Sequence, residues 1–369
     1  MSLSLPADPS SARSLTDVAR EAMAALGGRS QWFGPATSTI VFVIDGLGAA
    51  NLAARSGHAR FLWAHHGKKD VARSVFPSTT AAALTSLLTG TAPGHHGIVG
   101  YRARVPETGI VANQLRGWEA GELPAGWQRA EPLTATRRSF VVTRPEYVGS
   151  GFTHATVGGA DVEAVSDLEE RAARAAELAA RHPGSFVYLY APDLDAIGHK
   201  HGWESDAWTA ALERVDAVVR DLARDITPTT GLIVTADHGM VDVPRHRHVL
   251  LGEGDELLRD VQDIGGEPRM LHLYTAPGTT ADVARRWRDA ESSRAWVVTR
   301  DEAIATGLFG PVDAAVAPRI GDVLVAARSA IAYYDDRVED KAPQRMVGQH
   351  GSLTPEERIV PLVRLGAFA

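Results

Sequence analysis

Three short runs of apolar, largely β-branched residues each break off at or near an aspartate. They are Ser38–Ile44 (STIVFVI) before Asp45-Gly46, residues 185–190 (SFVYLY) just ahead of Asp193, and residues 231–235 (GLIVT) before Asp237-His238-Gly239. Unbroken apolar runs of this length, without alternation, mark strands buried on both faces of a parallel sheet. Helix-like stretches lie between them: residues 49–64 are rich in alanine and leucine, and residues 161–181 and Asp206–Asp225 carry strong helical patterns. Strands alternating with helices over this much chain predict an α/β protein with a central, mainly parallel sheet covered by helices on both faces. Ligands of such sheets gather at the carboxyl ends of the strands, where these aspartates sit.

Residues 71–76 read as a further strand, followed by Pro77-Ser78-Thr79-Thr80 as a cap and AAALTSLLTG as a helix that Gly90 and Pro93 stop. Residues 101–159 mix glycines, prolines and tryptophans without a sustained period, and are expected to be irregular or short-stranded. From 244 to 344 the pattern changes to short strands (271–275 and 322–327) around a helix (280–290). The chain then closes on a strand at 359–365. A length of 369 residues, at roughly 150 per domain, fits one large catalytic domain spanning 1–369 with a small α+β cap subdomain inserted at 244–344.

Composition removes several classes of function. Lysine and arginine number 38 against 45 aspartates and glutamates, a net charge of −7, which disfavours a dedicated nucleic-acid surface. With no cysteine, disulfides, thiolate metal sites and cysteine nucleophiles are excluded together. No apolar stretch approaches the roughly 20 residues of a membrane span. Residues 1–13 show no basic cluster followed by an apolar run, so no secretory leader is expected, and the protein is expected to be cytoplasmic without a membrane association.

Five local features carry chemistry, and each has an ordinary structural reading, which for Thr80 is a helix N-cap that Ser78 or Thr79 could supply instead and for His350 a lone surface histidine. Asp45 after a buried strand serves equally as a turn former. Asp195 and His199, four residues apart, share a face of one helical turn, as metal ligands or as a surface pair. Asp237-His238-Gly239 sets two ligand types at a strand end, or forms a solvated turn, and His350 between glycines is a further ligand type in a loop. Thr80 opens a helix whose free N–H groups and positive dipole end favour an anion. A threonine hydroxyl needs a base or a metal to become a nucleophile, and the strand-end ligands are suited to hold one.

Taken together and in order, VFVIDGLG, FPSTTAAALTSLLTGTAPGHHGIVG, DLDAIGHKHG, VTADHGM and GQHGSLTPEERIVPL resemble the motifs of the alkaline phosphatase superfamily, in its type I phosphodiesterase/nucleotide pyrophosphatase branch. The resemblance spans residues 41–362 and is weak over 102–185 and 244–345. It implies an alkaline phosphatase-like fold, a small-molecule phosphoester substrate and two zinc ions. One zinc would be held by Asp45, Thr80, Asp237 and His238, the other by Asp195, His199 and His350. Oxygen and nitrogen ligands of this kind also suit manganese or iron. It further implies in-line attack by Thr80 and a phosphothreonine intermediate, with three carboxylates and an ionised threonine balancing two divalent cations.

Two positions depart from the nucleotide-cleaving pattern. The residue after the nucleophile, often aromatic in such enzymes, is Ala81, and the phosphate-binding asparagine expected after HGI is replaced by Gly100-Tyr101. Tyr101 is therefore the candidate substrate-binding residue, and a phosphomonoesterase or phosphonate hydrolase on the same core is the alternative. A sulfatase would need a modified cysteine or serine in a C/S-x-P-x-R setting, whereas this chain has STTAAA. A non-catalytic metal-binding relative is the rival from outside enzymology, and it is disfavoured because every implied ligand is present.

Overall fold

The computed structural model describes residues 5–9, 11–67 and 69–369, so residues 1–4 and 10 of the stretch read for a leader lie outside it. Its centre is the strand Ser38–Ile44, all seven of whose residues are buried. Successive strand side chains point to opposite faces, so complete burial means that both faces are covered. This strand pairs in parallel with Phe186–Ala191 on one side and Thr230–Thr235 on the other. Ser139–Thr143 and the edge strand Asp161–Ala164 continue the sheet in parallel. On the opposite flank come Ile359–Gly366, antiparallel to its neighbours, and the short Val71–Arg73. The helices Leu15–Ala25 and Leu168–Arg181 pack on the central strand. The sheet of seven strands is thus mainly parallel and helix-covered, as the sequence pattern predicts.

Three local expectations need correction. Residues 161–181 are not one helix: Asp161–Ala164 pairs with Phe140–Thr143, and the helix begins only at Leu168, where the Asp167 side chain accepts from Glu170 N. Backbone pairing at the sheet edge outweighs the local propensity of four residues. The expected helix at 49–64 is split into Ala49–Ala54 and Arg60–His65 around Ser56-Gly57. In the stretch read as irregular, Ser139–Thr143 is a fully buried strand of the central sheet. Its SFVVT sequence carried the strand signal, obscured by glycine- and proline-rich surroundings.

Residues 244–344 contribute a separate antiparallel sheet of four strands in the order Val261–Glu267, Met270–Thr275, Val323–Ala327 and Ala295–Thr299. The helix Thr280–Glu291 buries Trp287 in a core of its own with Leu271, Val297 and Val325. The chain leaves the central fold and returns to it side by side, since Val241–Asp242 pairs with Gly348–Gln349. Among the described residues, no helix is long and apolar enough to cross a membrane.

A buried ion pair pins the second sheet to the C-terminal segment. Arg269 donates through Nε and Nη2 to the two carboxylate oxygens of Glu357, both at 2.8 Å, and neither side chain is more than 1% exposed. Removing one partner leaves the other charged and buried, so Arg269→Ala is expected to lower stability by about 3–5 kcal/mol, as measured by urea denaturation.

Candidate metal centre

Because Ser38–Ile44, Phe186–Ala191 and Thr230–Thr235 are adjacent and parallel, their carboxyl ends open on one edge of the sheet. Asp45, Asp237 and His238 follow two of those ends directly, while Asp195 and His199 lie on the helix Asp193–His201 that follows the third. The helix can approach because residue 46 is glycine: it has φ +77°, and a Cβ there would stand 3.1 Å from Asp195 Cα. Asp193 itself takes no part and is held by Arg144 and Arg171.

Two clusters result, one of Asp45, Asp237 and His238 and the other of Asp195, His199 and His350, with potential ligand atoms within 4.8 Å of one another in each. The His238 and His350 rings join them, stacked at 3.5 Å between centroids. Thr80, first residue of the helix Thr80–Thr89, places Oγ1 3.1 Å from His238 Nε2. The structure therefore brings close together all seven residues that the motif resemblance implies as ligands. Tyr101 is not part of either cluster. It follows Gly100, which lies against Pro77 at the start of the nucleophile turn.

Each histidine is oriented by the backbone. Nδ1 of His199 bonds the Gly348 carbonyl at 2.7 Å, that of His238 the Gly239 carbonyl at 3.1 Å, and that of His350 the Ser78 carbonyl at 2.9 Å. A carbonyl only accepts, so Nδ1 carries the proton and Nε2 presents a lone pair in all three. Those lone pairs face carboxylate oxygens: His238 Nε2 is 3.3 Å from Asp45 Oδ1 and 3.5 Å from Asp237 Oδ2. His199 Nε2 is 3.3 Å and His350 Nε2 3.8 Å from Asp195 Oδ1.

These same three oxygens, Asp45 Oδ1, Asp195 Oδ1 and Asp237 Oδ2, are buried with no hydrogen-bond partner among the described residues. Apart from the Thr80 hydroxyl on His238 Nε2, these are acceptors facing acceptors, which repel unless a cation lies among them. The electrostatics agree. Burial, then the charges of Asp237 and Asp195, push the Asp45 carboxyl well above its usual range, and burial raises Asp237 against the opposing effect of His238. Burial and the neighbouring His238 and His199 hold the His350 imidazole well below its ordinary value, which keeps it neutral as a ligand must be. The donor set, oxygen and nitrogen without sulfur, fits divalent cations.

A model of the family described as type I phosphodiesterase/nucleotide pyrophosphatase matches residues 39–353. The chain belongs to that family. An uncharacterised pyrophosphatase/phosphodiesterase of Schizosaccharomyces pombe is 27% identical over 209 residues, covering 52% of this chain and 43% of that protein. An ectonucleotide pyrophosphatase/phosphodiesterase 1 of Saccharomyces cerevisiae is 36% identical over 83 residues, covering 19% of this chain and 11% of that protein. The chain thus spans less than half the length of these curated relatives. Among solved structures, human ectonucleotide pyrophosphatase/phosphodiesterase 5 superposes with a TM-score of 0.68 at 18% identity, over 89% of this chain and 87% of that one. Phosphonoacetate hydrolase from Sinorhizobium meliloti, in complex with phosphonoformate, superposes with a TM-score of 0.65 at 19% identity, over 90% and 91%. The alkaline phosphatase-like fold expected from the motifs is the fold of this family member.

Sequence reasoning missed two residues at the site. Tyr190, inside the apolar run before Asp193, donates its hydroxyl to Asp45 Oδ2. An alternating tyrosine at 188 and 190 was the available signal. Glu267 comes from the second sheet to lie beside His350, and nothing in its local sequence announced it.

The raised carboxyls give a pH dependence. Asp45 and Asp237 titrate above 3.8 in the folded, metal-free chain. Their contribution to its stability is complete below that pH and is lost as pH rises through the folded values. The gain in Tm on adding zinc to chelator-treated protein should therefore grow as pH rises out of the ordinary carboxylate range and through these raised values. A gain that stayed flat or shrank would contradict the assignment.

Proposed function

We propose that this chain is a metal-dependent phosphodiesterase or nucleotide pyrophosphatase that transfers a phosphoryl group to Thr80 and then to water. The observation that carries the reading is the trio of partnerless carboxylate oxygens beside Thr80. Two zinc ions are the proposed occupants, one held by Asp45, Thr80, Asp237 and His238 and the other by Asp195, His199 and His350. When bound, such ions supply positive charge that favours the threonine alkoxide and the oxygens of an in-line displacement.

The rest falls to side chains and backbone. Thr80 sits where the free N–H groups and positive end of its helix favour an anionic phosphoryl group. Its Oγ1 attacks phosphorus, the Oγ1–P bond forms, and the P–O bond to the leaving group breaks, giving a phosphothreonine. Water then attacks phosphorus from the other side and restores the Thr80 hydroxyl. Tyr101 is proposed to donate to a non-bridging phosphoryl oxygen in place of the expected asparagine. Residues 244–344 are proposed to act as a cap on one catalytic domain.

A second reading, a phosphonate hydrolase or phosphomonoesterase, is favoured by one observation. Ala81 is fully buried, packed with Phe76, Ile98, Met270 and Leu353, so this position has no face on which a nucleobase could stack. The likeness to phosphonoacetate hydrolase supports the same alternative.

Zinc-loaded protein should hydrolyse bis(p-nitrophenyl) phosphate with a higher kcat/KM than p-nitrophenyl phosphate. Preference for the monoester, or turnover of phosphonoacetate alone, selects the second reading. Thr80→Ala should lose at least about 10³-fold in kcat while still binding metal. A variant as active as the wild type would remove the covalent step, and a wild type without turnover on any of these substrates would favour the non-catalytic rival. Tyr101→Phe should lose roughly tenfold in kcat/KM if the hydroxyl donates to phosphate, and unchanged kinetics would discard that role.

A further inference from the structure

We propose that Glu267 is a positioning residue: the second sheet delivers its carboxyl between His350 and the turn before Thr80, and it holds both in register for phosphoryl transfer. The inference rests on the phosphoryl-transfer reading above and adds a part of the machinery that lies outside the motif set.

Glu267 is the last residue of the strand Val261–Glu267. Its Oε2 lies 3.8 Å from His350 Nδ1, and burial pushes its carboxyl well above the usual range, against a hydrogen bond from its other neighbour, the Thr79 side chain, which lowers it. Thr79 is the N-cap of the helix that Thr80 opens. The Nδ1–H of His350 is already given to the Ser78 carbonyl. A carboxyl packed against the same edge of the ring and against Gly351 leaves the imidazole little room to turn away from that carbonyl. One side chain therefore touches a residue of the second ligand cluster and the residue preceding the nucleophile.

The surrounding chain is shaped around this carboxyl. Gly351 follows His350 with φ +122°, and a Cβ there would come within 2.5 Å of Glu267 Cδ. Two residues after Glu267, Arg269 is fixed by Glu357 and by the carbonyls of Ser329 and Ile331. The backbone that carries Glu267 thus has little freedom to move away. Glu267 is only 8% exposed, yet its Oε1 has no hydrogen-bond partner. Folding alone would favour an apolar residue of similar volume at such a place. An unsatisfied buried carboxyl kept beside a ligand cluster and a nucleophile is the pattern of stability given up for function.

The test compares wild type, Glu267→Met and Glu267→Gln in three measurements: steady-state kinetics, Tm, and zinc affinity by competition with a chromophoric chelator. Glu267→Met should lose about tenfold or more in kcat with KM changed less than about twofold, while its Tm stays level or rises. Glu267→Gln, which keeps the shape and a polar head, should recover a measurable part of that kcat. A Met variant with kcat near wild type, a fall in kcat that tracks a fall in Tm, or a Gln variant no better than Met would each overturn the proposal. A wild type inert to every phosphoester would bring down the functional reading alone. The zinc titration would still decide the role of Glu267, since one ion bound about tenfold more weakly in Glu267→Met supports it and equal affinity overturns it.

Discussion

Three carboxylates driven together in a dry place govern this molecule. Asp45 and Asp237 are essentially inaccessible to water, and Asp195 faces them across the His238–His350 stack. Like charges brought close together repel strongly in a low-dielectric interior, and among the described residues neither an arginine nor a lysine reaches the three unpaired oxygens. The surrounding architecture is what keeps them there. Parallel pairing of three buried strands fixes the edge from which the aspartates project, Gly46 lets the Asp195 helix close in, and backbone carbonyls set the tautomer of His199, His238 and His350. The centre has the shape and charge of a mould for cations, and the fold supplies the rigidity that such a mould needs.

Much of this was legible in the sequence, for a physical reason. A strand buried on both faces has to be continuously apolar, so Ser38–Ile44 and Thr230–Thr235 announce themselves, and the residue that ends such a run is forced to the sheet edge. Asp45 and Asp237 could therefore be placed before any coordinates. The spacing of Asp195 and His199 needed only the pitch of a helix. His350 was harder, because a histidine between glycines has no periodicity to place it, and it was found through the resemblance of its motif.

What the sequence concealed was set by tertiary pairing. The segment Asp161–Ala164 has the composition of a helix start and becomes a strand because Ser139–Thr143 offers it an edge. Ser139–Thr143 itself was hidden by its neighbours. Tyr190 reads as one more core aromatic until its hydroxyl is seen on Asp45. Glu267 belongs to the same class: its burial, its partnerless oxygen and its contact with His350 all arise from packing between segments far apart in the chain, and no window of local sequence contains them.

The pairing of Val241–Asp242 with Gly348–Gln349 has a consequence for the order in which the centre is built. Asp45, Thr80, Asp237 and His238 all precede residues 244–344, whereas His350 follows them. On a nascent chain emerging from the N-terminus, the first ligand cluster is complete while the second still lacks a member. The second can close only after the intervening sheet has folded and brought the chain back. The cluster of Asp195, His199 and His350 is therefore completed later in synthesis than that of Asp45, Asp237 and His238, and the long sequence separation between His238 and its stacking partner His350 makes their meeting one of the high-contact-order events of folding.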